Sequence, residues 1–191
     1  MLLMKRRDFI KFSLAAAALG SIARGAESPA ESQERINRGF RVGSHQDRND
    51  GSLLIMGGRF DLKVSGKDTG GDLCIYDTVR STKGGPPLHL HHSQDEWFYI
   101  VRGEFLAKVG NEMLKLRPGD SAFAPRRIPH AFAMTSDGEG QMLVLFQPAG
   151  RMEVFFGAMS RIGKDVSASH GIPKSLWEDC GMELLGPPLK Y

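Results

Sequence analysis

Two histidines one residue apart, a glutamate five positions further on and a third histidine in a distant segment are the residues of this 191-residue sequence best suited to chemistry. They are His89, His91, Glu96 and His130. On an extended segment His89 and His91 point to one face, because the side-chain period of a strand is two. Four residues separate His91 from Glu96, enough to cross a loop and enter the next strand. Imidazole and carboxylate donors converging on one point suit a single divalent transition metal. On its strand Glu96 shares a face with Phe98 and Ile100, so the carboxylate enters an otherwise apolar cavity. Its apolar neighbours raise its pKa toward the range of a general base. His130 follows Pro129 and opens the strand Ala131-Phe132-Ala133-Met134, where a ligand can aim inward. Phe98, Ile100, Phe123 and Phe132 are candidates for the cavity wall. Trp97 and Tyr99 share the outward face, and Gln94 and Asp95 read as a polar loop at the mouth. His92, His45 and His170 read as solvated, and Arg126 and Arg127 as a solvated loop.

The elements that must position these residues are short strands. Leu53–Met56 and Phe60–Val64 flank Gly57-Gly58 and read as a hairpin. Strands follow over 72–79, 96–101, 105–109, 113–116, 122–124, 131–134 and 142–146. Glycine, proline and asparagine turns punctuate them, which argues for a sandwich or barrel. No helical period separates the strands, so a parallel α/β sheet is disfavoured. After Pro148, Met152, Phe155, Phe156 and Met159 fall at helical spacing and read as a core-packing stripe. A second short helix is expected over 174–180, and 186–191 reads as a proline-rich tail. An edge strand is expected around Phe40-Arg41-Val42.

The N-terminus has a different character. Arg6-Arg7-Asp8-Phe9-Ile10-Lys11 precedes a moderately apolar run and small residues, a layout that resembles a twin-arginine export signal. The apolar stretch is about half the ~20 residues that span a bilayer, so no permanent membrane span is expected. The resulting organisation is a signal peptide over 1–26, an arm over 27–50, a barrel over 51–148 and a helical extension with a tail over 149–191. The expected destination is the periplasm or cell envelope of a bacterium, reached through the twin-arginine export machinery. The formal net charge of +3 belongs to that address. Residues 1–25 hold five basic residues and one acidic one, leaving 20 basic against 21 acidic and a net of −1. A basic surface for nucleic acid is therefore not expected. Cys74 and Cys180 are too few for a disulfide scaffold, and Cys74 reads as a buried strand residue.

Gly84, His89, His91, Glu96 and Gly103, followed by Gly119, Pro125 and His130, resemble the two paired motifs of the cupin superfamily over about residues 50 to 148. The sequence departs from the second motif at Arg127, where cupins have glycine, and at Met134, where they have asparagine. Within cupins, Pro86 to His91 and Glu96 to Tyr99 resemble the small quercetin-dioxygenase-like group. The resemblance implies an all-β antiparallel jelly-roll (double-stranded β-helix) barrel of six to eight strands, often dimeric, with short C-terminal helices. It implies one metal ion (Fe, Mn, Ni, Cu, Co or Zn) on His89, His91, Glu96 and His130. It further implies a dioxygenase acting on a small aromatic or polyphenolic, flavonol-like substrate, with Glu96 as base. Two other readings share these ligands: a metal-dependent protein that binds or senses a small ligand, and a cupin isomerase or lyase.

Overall fold

The computed structural model describes residues 34–49, 51–162 and 172–191. The export-signal segment 1–26, the first part of the arm and His170 lie outside the described residues. Eleven strands and two helices are present among those described. The strands run β1 Leu53–Ile55, β2 Gly58–Val64, β3 Cys74–Arg80, β4 Pro87–His91, β5 Asp95–Arg102, β6 Phe105–Val109, β7 Glu112–Leu116, β8 Ser121–Ala124, β9 His130–Met134, β10 Gly140–Gln147 and β11 Met182–Pro188. The helices α1, Met152–Ile162, and α2, Lys174–Asp179, sit between β10 and β11.

Six strands form one sheet in the order β1-β2-β3-β10-β5-β8, and five form a second in the order β11-β4-β9-β6-β7. All pairings are antiparallel. Together the two sheets make the jelly-roll barrel that the motif resemblance implies, within the sandwich-or-barrel class expected from the strand pattern. Alternation decides what faces inward. On β5, Glu96, Phe98 and Ile100 are buried, while Trp97 and Tyr99 stack outside with ring centroids 5.8 Å apart. On β4, Pro87, His89 and His91 face in. The core between the sheets is aliphatic, aromatic and methionine-rich, and includes Tyr76, Phe98, Phe146 and Met142. Burying such side chains contributes about 1.5–3 kcal/mol each. Both cysteines are free and buried.

Three sequence expectations need correction. No strand forms at Phe40-Arg41-Val42. The segment read as a proline-rich tail contributes to β11, which pairs with β4 through Met182↔His91 and Leu184↔His89. Proline cannot donate to a ladder, which hides such a strand from pattern reading, yet Pro187 and Pro188 are tolerated because β11 is a sheet edge. Phe123, expected in the cavity wall, is 55% exposed. It pairs with outward-facing Trp97, and Ala122 and Ala124 take the inward positions of β8.

Helix α1 buries Met152, Phe155, Phe156 and Met159 against the open side of the barrel. Its start is tethered by Glu153, which accepts hydrogen bonds from Ser65 Oγ at 2.9 Å and the Gly66 amide at 2.7 Å. A carboxylate in the first turn also complements the helix dipole. Trp177 of α2 packs edge-on against Phe155, with centroids 4.8 Å apart.

Gly85, just before β4, runs against β9 so closely that a Cβ there would lie 1.8 Å from the Phe132 carbonyl oxygen. A backbone oxygen cannot rotate away, so Gly85→Ala forces β4 and β9 apart. It should cost at least about 2 kcal/mol, read as a lower urea midpoint. Gly39→Ala, where a Cβ meets open space, should change stability by less than about 0.5 kcal/mol. Equal midpoints for the two variants would contradict this account of the β4–β9 contact.

Candidate metal centre

Three imidazoles from one sheet meet one carboxylate from the other. His89 and His91 come from β4 and His130 from β9, with His89 and His130 in direct register. Glu96 comes from β5 in the facing sheet. Each residue offers a donor atom, and these atoms all lie within 4.8 Å of one another. All four residues are buried.

The other nitrogen of each imidazole explains the orientation. His89 Nδ1 is 2.8 Å from the Pro87 carbonyl, and His130 Nδ1 is 2.8 Å from the Ile128 carbonyl. His91 Nδ1 is 3.4 Å from Gln94 Oε1. A carbonyl oxygen only accepts, so each Nδ1 carries a proton and each Nε2 is turned inward. Such outer partners commonly orient metal-bound histidines. Gln94 is itself fixed, because its Nε2 donates to the Ala149 carbonyl at 2.9 Å. That leaves Oε1 free to accept from His91.

The sequence reading placed Gln94 in a polar loop at the cavity mouth. It is 3% exposed and holds a ligand histidine to the chain just before α1. Its neighbour Asp95 is not in the loop but is the first residue of β5, clasped by Arg126, whose hydrogen bonds hold the carboxyl down at about 2.

Within the cluster, Glu96 Oε2 lies 2.8 Å from His130 Nε2 and 3.2 Å from His91 Nε2. His91 Nε2 is nevertheless buried without a hydrogen-bond partner. Leaving a buried polar nitrogen unsatisfied costs about 1–3 kcal/mol. A metal ion bound by these donors would remove that penalty, so the residues present fit the ion that the motif implies.

Charges settle in the same sense. Burial, reinforced by the neighbouring His130 and His91, pulls His89 down to about 3 and keeps it neutral. Burial alone would raise Glu96, but the hydrogen bond with His130 and the close approach of His91 outweigh it and hold the carboxyl below its usual range. This reverses the expected rise in its pKa: the apolar neighbours are present, but two imidazoles sit closer. His130 is opposed by burial and raised on balance by its contact with Glu96.

The second motif's departure at Arg127 leaves the loop intact. Arg127 takes the left-handed conformation itself, at φ 65°, which costs a residue with a Cβ about 1 kcal/mol or more. Its amide donates to the His91 carbonyl at 2.7 Å, as a glycine's would, and its Nε donates to the His92 carbonyl at 3.2 Å, a bond that glycine could not make.

A cavity of about 60 Å³ opens beside the cluster. Phe132 lines it, as the sequence suggests, together with Phe146, Phe155, Phe156, Trp177 and Arg80. Trp177 stands 5.3 Å from His89, measured between ring centroids. Phe98 and Ile100 lie behind this wall in the core, Phe98 touching both Phe132 and His130. Sequence periodicity assigned the α1 stripe to the core alone, whereas it also closes the cavity.

An antiparallel jelly-roll barrel with a His-rich cluster between its sheets is the architecture that the cupin resemblance implies. Residues 79–146 match the family model described as Cupin domain. A structure described as a predicted oxalate decarboxylase from Thermotoga maritima shares the fold at 16% identity and a TM-score of 0.50, over 57% of this chain and 99% of that one. KdgF from Halomonas sp. aligns at 21% identity and a TM-score of 0.49, over 58% of this chain and 94% of that one. The uncharacterized protein MJ1618 of Methanocaldococcus jannaschii is 35% identical over 43 residues, 22% of this chain. The match spans about a third of that relative's length, 34%. The domain match and the shared fold support the cupin superfamily for the barrel.

One calorimetric titration with Zn²⁺ tests both the pairing and the orientation. Because Glu96 holds a proton on His130, metal affinity should weaken by about tenfold per pH unit below the His130 pKa, with proton release on binding. Gln94→Leu removes the acceptor from His91 Nδ1 and should weaken binding by about 10–100-fold. A pH-independent affinity, or an unchanged one in Gln94→Leu, would contradict these assignments.

Proposed function

We propose that the protein is a mononuclear metal-dependent dioxygenase acting on a small aromatic compound. The observation that carries this reading is the position of the ligand candidates: His89, His91 and Glu96 line a cavity walled by aromatic side chains, with His130 clustered against them. A divalent ion held by His89, His91, Glu96 and His130 supplies Lewis-acid and redox chemistry at that floor. The chain's own residues do the rest. Phe132, Phe146, Phe155 and Phe156 offer ring faces and edges to an aromatic substrate and exclude water. Glu96, held ionised, can accept a proton from a substrate hydroxyl at Oε2.

Cavity size restricts the substrate. An apolar cavity of about 150 Å³ holds benzene, and drug-sized ligands occupy about 300–1,000 Å³. Against about 60 Å³ here, a single ring requires the aromatic side chains of α1 and α2 to yield, and a flavonol requires more. The same small cavity favours a second reading, a metal-dependent protein that binds a small ligand without converting it.

Oxygen-electrode measurements on Fe-, Mn-, Ni- and Cu-loaded protein with catechols and flavonols separate the readings. Oxygen uptake above background is expected, with a loss of at least about 10²-fold in Glu96→Ala while part of the metal stays bound. Background uptake with every metal sinks the dioxygenase reading. Ligand-induced thermal stabilisation without uptake would support the second.

We also propose that Arg6-Arg7 and the apolar run behind it direct export by the twin-arginine route. Cell fractionation should then find the protein in the periplasm, and the double change Arg6→Lys with Arg7→Lys should retain it in the cytoplasm. Unchanged fractionation would contradict this.

A further inference from the structure

Arg80 ends β3 on the inward parity of Cys74, Tyr76 and Thr78, and it lines the same cavity as His89, His91 and Glu96. It is 8% exposed. Nη1 donates to the Gly84 carbonyl, and the guanidinium carbon stands 5.7 Å from the centre of the Phe132 ring. Among the described residues no carboxylate side chain lies within 4.0 Å of it.

An arginine side chain carries five N–H donors and stays charged at any working pH. Buried charges in proteins are normally paired, because the desolvation of an unpaired one is not recovered. One carbonyl and one ring face leave the other guanidinium nitrogens without a protein partner among the described residues, open to the cavity or to solvent. Burial draws its pKa down, with Tyr191 opposing. The other arginines and lysines near the barrel end, such as Lys83, Arg102 and Arg117, have acidic partners at the surface. Arg80 is the buried one that faces a cavity.

Its position along the sheet indicates what it can touch. Glu96 is in register with Phe146, which is in register with Cys74, at the opposite end of β3 from Arg80. Six residues of strand span about 20 Å, which the length of the arginine side chain shortens. Arg80 therefore enters the cavity from the opposite end of β3 to the strand positions level with Glu96.

We propose that Arg80 is a specificity-determining residue that binds a carboxylate of the substrate, at the end of the cavity away from His89, His91, Glu96 and His130. The planar guanidinium matches a carboxylate with two parallel N–H···O bonds, and the aromatic walls between accept an apolar body. The substrate class is a small aromatic carboxylic acid whose other end reacts. This inference rests on reading the cavity as the substrate site, and it would hold for a binding protein as well as for an enzyme.

The test compares benzoate with benzamide, and acetate with acetamide, by calorimetry on zinc-loaded protein, which is redox-silent. The same comparison is repeated on chelator-treated protein, to exclude coordination of the anion by the metal. The carboxylate of at least one pair should bind at least about tenfold tighter than its amide in both preparations. Arg80→Gln should abolish that preference while keeping the wild-type metal content and melting temperature. Arg80→Lys keeps the charge and stem but not the fork. It should retain the preference with at least about fivefold weaker binding, and it serves if the glutamine variant does not fold. Equal binding of acid and amide, no binding of either carboxylate, or wild-type carboxylate affinity in both variants would overturn the proposal. Background oxygen uptake together with an Arg80-dependent carboxylate preference would remove the dioxygenase reading alone. Uptake without that preference would remove this one alone.

Discussion

Each of the three imidazoles is held by a hydrogen bond on the side away from the other two, and the site depends on that arrangement. Pro87 and Ile128 offer backbone carbonyls, and Gln94 offers its side-chain oxygen. Those acceptors fix a proton on Nδ1 and leave the three Nε2 atoms to converge on one cluster with Glu96. Two of the acceptors lie two residues before the histidine they hold. The strand backbone that carries each of these ligands therefore also orients it. The third acceptor, Gln94, is fixed in turn by the Ala149 carbonyl, so the ligand shell is tied directly to the chain that begins α1.

The rest of the barrel follows from keeping this cluster dry without crushing it. Glu96 must face three imidazoles across the gap between two sheets. Its neighbours on β8, Ala122 and Ala124, are small where large residues would fill that gap. Gly85 lets β4 run against β9 so that His89 stands in register with His130. Phe155, Phe156 and Trp177 then close the open side, with Trp177 against His89. Removing water strengthens each charge interaction inside, and the contacts of Glu96 with His130 and His91 outweigh the cost of burying its charge, so it stays ionised. It is also why Arg80, the cation at the other end of the cavity, stands out.

The quartet His89, His91, Glu96 and His130 was legible in the sequence because two rules sufficed: strand alternation and the donor types that metals accept. Nearly every strand was legible for the same reason. Proline hid β11, since an edge position tolerates what a central strand would not. The error at Phe123 was one of parity: large apolar residues attract an inward assignment, but here alanines occupy the inward positions. Gln94 carried no sequence signal of burial, because a glutamine between two ligands reads as loop until its partners are known. Arg80 carried a signal that went unread. It continues the alternation of Cys74, Tyr76 and Thr78, and a charged residue on that parity must enter the barrel. The pKa of Glu96 could not come from composition, since the sign depended on two imidazoles less than about 3.5 Å away rather than on the apolar wall.

The account stands on a single transition-metal ion shared by four side chains, and elemental analysis of purified protein tests that most directly. The prediction is about one equivalent of Fe, Mn, Ni, Cu, Co or Zn per chain in the wild type, falling to a small fraction in His91→Ala and in His130→Ala at unchanged secondary structure. Protein that remains nearly free of transition metal after incubation with each of these ions, or that keeps its full metal content in both variants, would contradict it.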